Sequence, residues 1–312
     1  MRRKVIQFAG KTNLISLPIS WTRKYNIKKG DELEVKEKGD ELFVSSNIEK
    51  KTEKITIDIS KFSDMSLKYC LSAMHKSGYD EIILLNPSQL QIPLVQDVMN
   101  NLLLGFVIIE QTQKKIILKS VSTDIANEFD STLRRVFLVT LSFADSSLEI
   151  VKSKNFFNLK NLMTLDKTND QLTSFCLRLL NKGVYNDNKT LPFIIIIVWA
   201  LEKISDEYKY LCNFLYNNNI SISDEVINIY SEVNNFFRVY YELFYKFDII
   251  ILNEVSDKRF EIIKLIEKTQ SNNKIDYQLL AHLKVILNKT VDLSSSLFAL
   301  KHLNLDEVKD NL

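Results

Sequence analysis

The chain has few of the residues that shape small, loop-rich proteins. Its 312 residues include only three cysteines, six glycines and four prolines. Cys70, Cys176 and Cys212 lie far apart and form no Cys-x-x-Cys pair, which excludes a disulfide scaffold or a zinc finger and favours a reduced, cytoplasmic setting. The shortage of glycine and proline argues against an all-β fold and favours long helices.

Long hydrophobic runs are also missing. The N-terminal residues MRRKVIQFAGK have no apolar core of the kind that a signal peptide requires. The most apolar stretch, residues 191–201, has about half of the ~20 residues that a membrane span needs. We therefore expect a buried core helix there and no insertion into a membrane.

Acidic residues are absent before Asp31. The chain as a whole has a formal charge of +2, and because eight basic residues precede Asp31, the remainder carries −6. The eight are Arg2, Arg3, Lys4, Lys11, Arg23, Lys24, Lys28 and Lys29. A basic segment on an acidic remainder indicates a polyanion partner for that segment alone. On charge alone, a solvated basic face explains the segment equally well.

Residues 1–47 have the pattern of a small β domain. Pro18 ends the second strand, and Ser20 is predicted to cap a single helical turn. Four strands this short cannot bury a core within one chain, and no cysteine or metal cluster is available to support them, so we expect a dimer. The predicted strands are residues 5–8, 14–17, 33–36 and 42–44.

A charged linker, residues 48–54, leads into a small α/β layer over 55–121. Its predicted strands are 55–59, 81–85, 106–110 and 115–119, and its predicted helices are 64–77 and 95–104. The pattern is then helical almost to the end of the chain. The predicted helices are 123–151, 155–182, 190–217, 222–252, 256–271 and 275–305. Two sets of three helices predict a duplicated three-helix bundle, 122–220 and 221–312.

Two pairs of carboxylates stand out in the helical part. Asp166 and Asp170 are four residues apart, as are Glu202 and Asp206, so each pair lies on one helical face. Two such faces opposed in a bundle bind a hard or borderline cation. Each pair alone is better explained by acidic surface positions on a long helix, and it is the presence of two pairs on adjacent helices that favours a metal site.

Other residues that could carry chemistry are isolated. His75, His282 and His302 have no metal-ligating neighbours in sequence, and no nucleophile elbow, acid–base pair or phosphate loop is present, so we expect no enzyme. Cys176 and Cys212 fall in apolar helical stretches and are expected to be buried and inert. Trp199 and the Phe and Tyr residues of 236–247 are expected to serve core and dimer packing rather than base stacking.

An ordered series of short motifs runs through residues 3–46. Leu14–Pro18 gives an apolar-x-Leu-Pro ending, Trp21 lies in the short helix, Lys28–Asp31 contains Lys-Gly-Asp, and Leu42–Val44 closes the hairpin. This order resembles the AbrB/MazE/SpoVT family of swapped-hairpin DNA-binding domains. The resemblance implies an interdigitated homodimer whose basic residues face DNA. By position, the candidates are Arg2, Arg3, Lys4, Lys11, Arg23 and Lys24.

The acidic pairs stand in longer strings, Asp166-Lys-Thr-Asn-Asp170 with Arg178 downstream, and Glu202-Lys-Ile-Ser-Asp206. These acid-x-x-x-Asp strings resemble the marker faces of PhoU, the family of phosphate-uptake regulators. The resemblance implies that Asp166, Asp170, Glu202 and Asp206 hold a divalent metal ion or an iron or zinc cluster.

The second half departs from that pattern. Glu267 is followed four residues later by Ser271, and Asn288 by Asp292. Each pair lacks one carboxylate, so the second repeat is degenerate and a second metal cluster is in doubt.

The order of head, α/β layer and PhoU-like bundle resembles a group of archaeal regulators. The expected fold is multidomain: a small β swapped-hairpin dimer head, a small α/β layer and all-α tandem three-helix bundles. Two functions follow. The first is a DNA-binding transcription regulator of phosphate uptake, whose sensor body sets the spacing of the heads or recruits a partner. The second is a signalling adaptor for a phosphate transporter or kinase, in which the head only dimerises. DNA binding that weakens with salt would separate them.

Overall fold

The computed structural model describes residues 2–8, 10–38, 41–46, 52–121, 128–185, 189–218, 222–270 and 274–309. The chain divides into two compact units, Met1–Thr52 and Glu53–Leu312, which are named the head and the body here. The predicted linker 48–54 lies outside the described residues except for its last three positions, and so does the predicted helix start at 123.

The head consists of two antiparallel hairpins with a short helix between them. Its elements are β1 (Ile6–Phe8), β2 (Thr12–Leu14), α1 (Ile19–Lys24), β3 (Leu33–Lys38) and β4 (Glu41–Ser46). β1 pairs with β2, and β3 pairs with β4. Gly30, at φ +96, lets the chain turn before β3. The Asp31 carboxylate fixes this turn by accepting the Lys28 N–H at 2.7 Å.

Two details of the head differ from the sequence prediction. The second strand covers 12–14 instead of 14–17. The predicted Ser20 cap is wrong, because Pro18 is the N-cap residue of α1 and no side chain caps this helix. Proline is already fixed near helical φ, here −62°, so the chain enters the helix directly at Ile19.

The body begins with a four-stranded sheet covered by two helices. The elements are β5 (Lys54–Asp58), α2 (Asp64–Lys76), β6 (Glu81–Leu85), α3 (Gln91–Leu102), β7 (Phe106–Gln111) and β8 (Lys115–Ser120). The strand order is β5-β6-β8-β7, with β5 and β6 parallel and the other neighbours antiparallel. The predicted α/β elements are therefore present, although α3 begins at Gln91 rather than Val95. Pro93 is tolerated in its first turn, where no intrahelical N–H bond is lost.

Helices make up the rest of the body. They are α4 (Glu128–Ser153), a short 3-10 helix (Phe156–Asn158), α5 (Leu159–Leu162), α6 (Thr164–Asn181), α7 (Leu191–Asn218), α8 (Asp224–Tyr245), α9 (Ile249–Lys268), α10 (Lys274–Val291) and α11 (Leu293–Lys309). α4, α6 and α7 pack against one another, and α10 packs on α7 and α8. One continuous hydrophobic core runs through both sets of helices.

Three predicted helices are divided in the structure. The 155–182 segment contains the 3-10 turn, α5 and α6, and the 275–305 segment breaks at Asp292, between α10 and α11. The third is the predicted helix 222–252. Its predicted end at 252 is wrong, because the chain breaks at Lys246–Asp248 instead. The Asp248 carboxylate starts α9 by accepting the Ile250 N–H at 2.8 Å.

α7 is only half buried over its apolar first turns. Ile194, Ile197 and Leu201 are in the core, whereas Trp199 is 57 % exposed. The core role predicted for Trp199 is therefore wrong within one chain, because its position falls on the outer face of α7. No helix among the described residues is long and apolar enough to cross a membrane.

Candidate functional site

The head leaves its apolar side chains exposed. No residue from 2 to 46 whose exposure the structure describes is buried. The large apolar side chains that are more than a third exposed are Val5, Ile6, Phe8, Leu14, Ile15, Ile19, Tyr25, Val35, Leu42 and Phe43. A contiguous unit of this size rarely exposes so many apolar groups unless they form an interface.

The basic residues of the head are exposed as well. The six predicted DNA contacts lie before β1, in the β1–β2 turn and at the end of α1. None of them forms an ion pair with another described residue. The six are Arg2, Arg3, Lys4, Lys11, Arg23 and Lys24, all of them exposed. Their charges are therefore free to meet an external anion.

α6 and α7 bring three of the four predicted metal ligands together. Asp166, Asp170 and Asp206 each offer a carboxylate oxygen, and these atoms lie within 4.8 Å of one another. Glu202 stands outside this group, and its Oε1 accepts a hydrogen bond from Lys203 Nζ at 3.0 Å. The four acidic residues are named the carboxylate cluster below.

Two lysines of α7 bond to the carboxylate cluster. Lys209 Nζ donates to Asp166 Oδ2 at 2.5 Å and to Asp206 Oδ1 at 2.6 Å. Lys203 Nζ donates to Asp206 Oδ2 at 2.9 Å. Because Lys203, Asp206 and Lys209 are spaced by three residues, they share one face of α7. Sequence analysis missed both lysines, although this spacing was visible.

The pKa values of the three grouped carboxylates shift in different directions, depending on their contacts with the lysines. Burial raises the pKa of Asp170 to about 7, and the nearby charges of Asp166 and Glu202 add to this effect. Burial also raises the pKa of Asp166, against the hydrogen bond from Lys209. For Asp206, burial is outweighed by the ammonium groups of Lys209 and Lys203, which lower its pKa.

The donor set bears directly on the metal that the PhoU resemblance implies. It contains carboxylates only, and no histidine or cysteine among the described residues joins it, so it lacks the ligands that zinc and iron clusters favour. A hard divalent cation suits carboxylates better. Such an ion does not fit the group as it stands, because the Lys209 ammonium already bridges Asp166 and Asp206.

Arg178 of α6 joins the bundle to the α/β layer. Its guanidinium donates to the carbonyls of His75 at 3.2 Å and Tyr79 at 2.6 Å, and to Asp80 Oδ1 at 2.9 Å. It also lies over the Phe106 ring, 4.9 Å from the centroid. Sequence analysis named Arg178 only within a PhoU-like string. The missed signal was one arginine within an apolar helix, since a buried charge needs partners.

Asp80 connects Arg178 to the first residue of the body. Lys182 Nζ donates to both Asp80 carboxylate oxygens at 2.7 Å. The Glu53 N–H donates to Asp80 Oδ2 at 3.1 Å, and the Asp80 N–H donates to the Glu53 carbonyl at 2.7 Å. Gly78, at φ +93, permits the tight turn and the close approach of Lys182. Glu53, Asp80, Arg178 and Lys182 are named the Asp80 junction.

Burial acts to raise the pKa of Asp80. The hydrogen bonds from Lys182 and the Glu53 N–H, with the charge of Arg178, outweigh it and lower that pKa. Asp80 is therefore ionised at neutral pH, and it holds two cations of α6 and the backbone of Glu53 at the same carboxylate. The junction lies where the chain enters the body, since Glu53 is the first residue of the body and falls within the last part of the predicted linker.

The histidines that sequence analysis treated as isolated have structural partners. His75 Nε2 donates to the Leu104 carbonyl at 3.0 Å, and burial lowers the pKa of His75 to about 4. His282 Nδ1 lies 2.7 Å from Glu207 Oε1, a hydrogen bond that ties α10 to α7. The His302 side chain lies outside the described residues.

The two cysteines predicted to be buried are buried. Cys176 and Cys212 lie in the core of the bundle with free thiols. Burial raises the pKa of both thiols, so the reactive thiolate is scarce at neutral pH. This agrees with an inert, structural role.

Comparison with known proteins identifies no family. No protein-family model, curated protein or solved structure matches this chain. The resemblances of the head and of the bundle therefore stay predictions from sequence. The case for a function rests on the exposed surface of the head and on the charged contacts within the body.

Proposed function

We propose that this chain is a transcription regulator that binds DNA through the head of a homodimer. One observation carries the proposal: the head exposes its large apolar side chains and its basic residues together, with no described residue buried. The apolar groups require a second protein surface, and the unpaired cations require a polyanion.

A second copy of the head meets the first requirement. Burying one Val, Leu, Ile or Phe side chain contributes about 1.5–3 kcal/mol. Pairing Phe8, Val35 and Leu42 with their counterparts would supply the core that one head lacks. Two-fold symmetry places the same patch on both chains, so no further partner is needed. The interdigitated dimer that the AbrB-like resemblance implies has this arrangement.

DNA meets the second requirement. A dimer doubles the eight basic residues that precede Asp31 in each chain and places them on one assembly. Backbone phosphates would be contacted by most of them, whereas the arginines are the better candidates for reading base edges. A protein that makes 6–10 phosphate contacts loses about 10³–10⁵-fold in affinity between 50 and 200 mM salt.

We further propose that the body acts on the heads through the Asp80 junction. α6 carries Asp166 and Asp170 near its start and Arg178 and Lys182 near its end. A change in α6 would therefore reach Asp80 and Glu53, from which the chain leads to the head. Phosphate uptake is the process suggested by the PhoU-like strings, and inorganic phosphate is the first effector to test.

The DNA proposal is tested on the full chain by replacing exposed cations. Arg23→Ala/Lys24→Ala removes two charges per chain. We expect binding to a short duplex to weaken at least about 10-fold, and the salt slope to fall by about 3–4. The matched control is Lys160→Ala/Lys167→Ala, two exposed lysines of the body, which should leave both values unchanged.

Other outcomes would point away from DNA. Equal losses in the head and body variants would mean that net charge, rather than the head, governs binding. If the unaltered chain binds no duplex while remaining a dimer, the head is a dimerisation device. The signalling-adaptor function would then replace the proposed one.

The role of the junction is tested with Asp80→Asn, which keeps the side-chain size and removes its charge. We expect DNA affinity within about 3-fold of the unaltered chain, because the head is untouched, together with loss of any change caused by inorganic phosphate. Glu149→Gln, an exposed acid in a surface ion pair, is the control. An Asp80→Asn protein that still responds to phosphate like the control would exclude the junction from signalling.

A further inference from the structure

Two lysines of α7 supply positive charge within the carboxylate cluster. Three of its four carboxylates, Asp166, Glu202 and Asp206, form ion pairs with the ammonium groups of Lys203 and Lys209. The lysines differ in position. Lys203 bonds Glu202 and Asp206, which both belong to its own helix, whereas Lys209 connects Asp206 to Asp166 on α6.

Lys209 stands where a bridging metal ion would stand. A divalent ion shared by two carboxylates lies about 2.0–2.6 Å from an oxygen of each. Lys209 Nζ is 2.5 Å from Asp166 Oδ2 and 2.6 Å from Asp206 Oδ1. These are the two helices that such an ion would join, so the ammonium and the ion compete for one position.

The other oxygen of each of these two carboxylates also accepts a hydrogen bond. Asp206 Oδ2 accepts from Lys203, and Asp166 Oδ1 accepts from Ser205 Oγ at 3.3 Å. All four oxygens of Asp166 and Asp206 therefore have a donor. An ion shared by Asp166 and Asp206 would have to displace the Lys209 ammonium, which bonds to both. Asp166 is also only 4 % exposed, so water has little access to this carboxylate.

We propose that the Lys209 ammonium replaces a divalent metal ion in this cluster, so that the protein binds no metal there until that amine is removed. The lysine joins α6 to α7 as a metal would, with one positive charge instead of two. The site opened by removing it would take a hard divalent cation such as Mn²⁺, because its ligands are all carboxylate oxygens. This inference does not depend on DNA binding.

The test is to open the site in the full chain with Lys209→Met, which keeps the length of the stem and removes the charge. Mn²⁺ binding is measured by isothermal titration calorimetry and by the loss of the free-ion electron paramagnetic resonance signal. We expect one Mn²⁺ per Lys209→Met chain, bound at least about 100-fold more tightly than by the unaltered protein, because a like charge at the ion's position is gone.

Lys203→Met is the matched control. It makes the same change of charge on the same helix but leaves the bridge between Asp166 and Asp206 in place. We expect its Mn²⁺ binding to resemble that of the unaltered protein. Adding Asp166→Asn to Lys209→Met should abolish the new binding, since one of the two bridged ligands is lost.

Three results would overturn the inference. One is tight, stoichiometric Mn²⁺ binding by the unaltered chain. Another is equal binding by the Lys203→Met and Lys209→Met proteins. The third is absence of binding by a folded Lys209→Met protein, with folding checked by circular dichroism. If Lys209→Met does not fold, Lys209→Gln takes its place under the same criteria. None of these readouts involves DNA, so their failure is distinct from failure of the proposed function.

Discussion

The head and the body use the same residue types in opposite ways. In the head, the arginines and lysines before Asp31 are exposed without ion pairs to described residues, and the large apolar side chains are exposed as well. In the body, Arg178, Lys182 and Lys209 bond carboxylates, and the apolar side chains form two buried cores. A unit whose charges and apolar groups are satisfied internally can fold alone. In the head, neither the charges nor the apolar groups are satisfied internally, which points to one apolar and one anionic partner.

The largest expected effect comes from changing the apolar surface of the head. Phe8→Glu places a charge where the dimer would bury an aromatic ring, at a side chain that is 65 % exposed in one chain. We expect dimers to give way to monomers, because an unpaired buried charge costs several kcal/mol. Light scattering after size-exclusion chromatography measures the change, and DNA binding should be lost with it.

Trp199→Glu sharpens the comparison, since Trp199 is similarly exposed at 57 % but lies in the body. We expect this variant to remain dimeric and to bind DNA. A monomeric Trp199→Glu protein beside a dimeric Phe8→Glu protein would reverse the assignment and move the principal dimer interface to the body.

The sequence predicts local structure better than it predicts contacts between distant segments. In the α/β layer, β6 has the bounds, Glu81–Leu85, that its short apolar run predicts, because this signal is local. The junction could not be foreseen, because Asp80 and Arg178 are 98 residues apart and nothing in either segment specifies the partner. The i, i+4 acids predict which faces of α6 and α7 meet. They do not reveal that Lys209 fills the space between them, since that depends on the rotation of two packed helices.

The second largest effect is expected at the Asp80 junction. Arg178→Met keeps an apolar stem but removes the Arg178 bond to the Tyr79 carbonyl and one of two bonds to the His75 carbonyl, which keeps the Gly78 N–H. Removing one partner of a buried ion pair costs about 3–5 kcal/mol, and we expect the lower end because Asp80 keeps Lys182. Urea unfolding gives the free energy. Lys152→Met, in an exposed pair with Glu149, should change it by less than about 0.5 kcal/mol. Equal effects would mean that the buried pair is no stronger than a surface pair.

Two other groups of the body, His75 and Asp170, are expected to respond to pH in opposite directions. His75 has a pKa of about 4 in the folded protein and 6.5 as a model value. The unfolded chain therefore takes up the proton first, and this residue removes about 3 kcal/mol of stability as the pH falls from 6.5 to 4. Asp170, raised from 3.8 to about 7, acts in the opposite sense, removing about 4 kcal/mol as the pH rises across that range.

Two variants separate these contributions. Relative to the unaltered chain, His75→Gln should gain stability as the pH falls from 6.5 to 4, and Asp170→Asn should gain stability as the pH rises from 4 to 7. Urea unfolding at several pH values measures both differences, and a constant offset from either substitution does not affect the slopes. Parallel curves for all three proteins would show that neither group has the shifted pKa.

The most direct measurement of the central claim is the salt dependence of DNA binding by the full chain. Fluorescence anisotropy with a labelled duplex at 50–200 mM salt gives the slope of log K against log salt, and titration at high DNA concentration gives the stoichiometry. A dimeric head that contacts at least six phosphates predicts a slope of about −5 or steeper, with two chains bound per site. A slope near zero, or binding by single chains, would contradict the claim that the head is a dimeric DNA-binding surface.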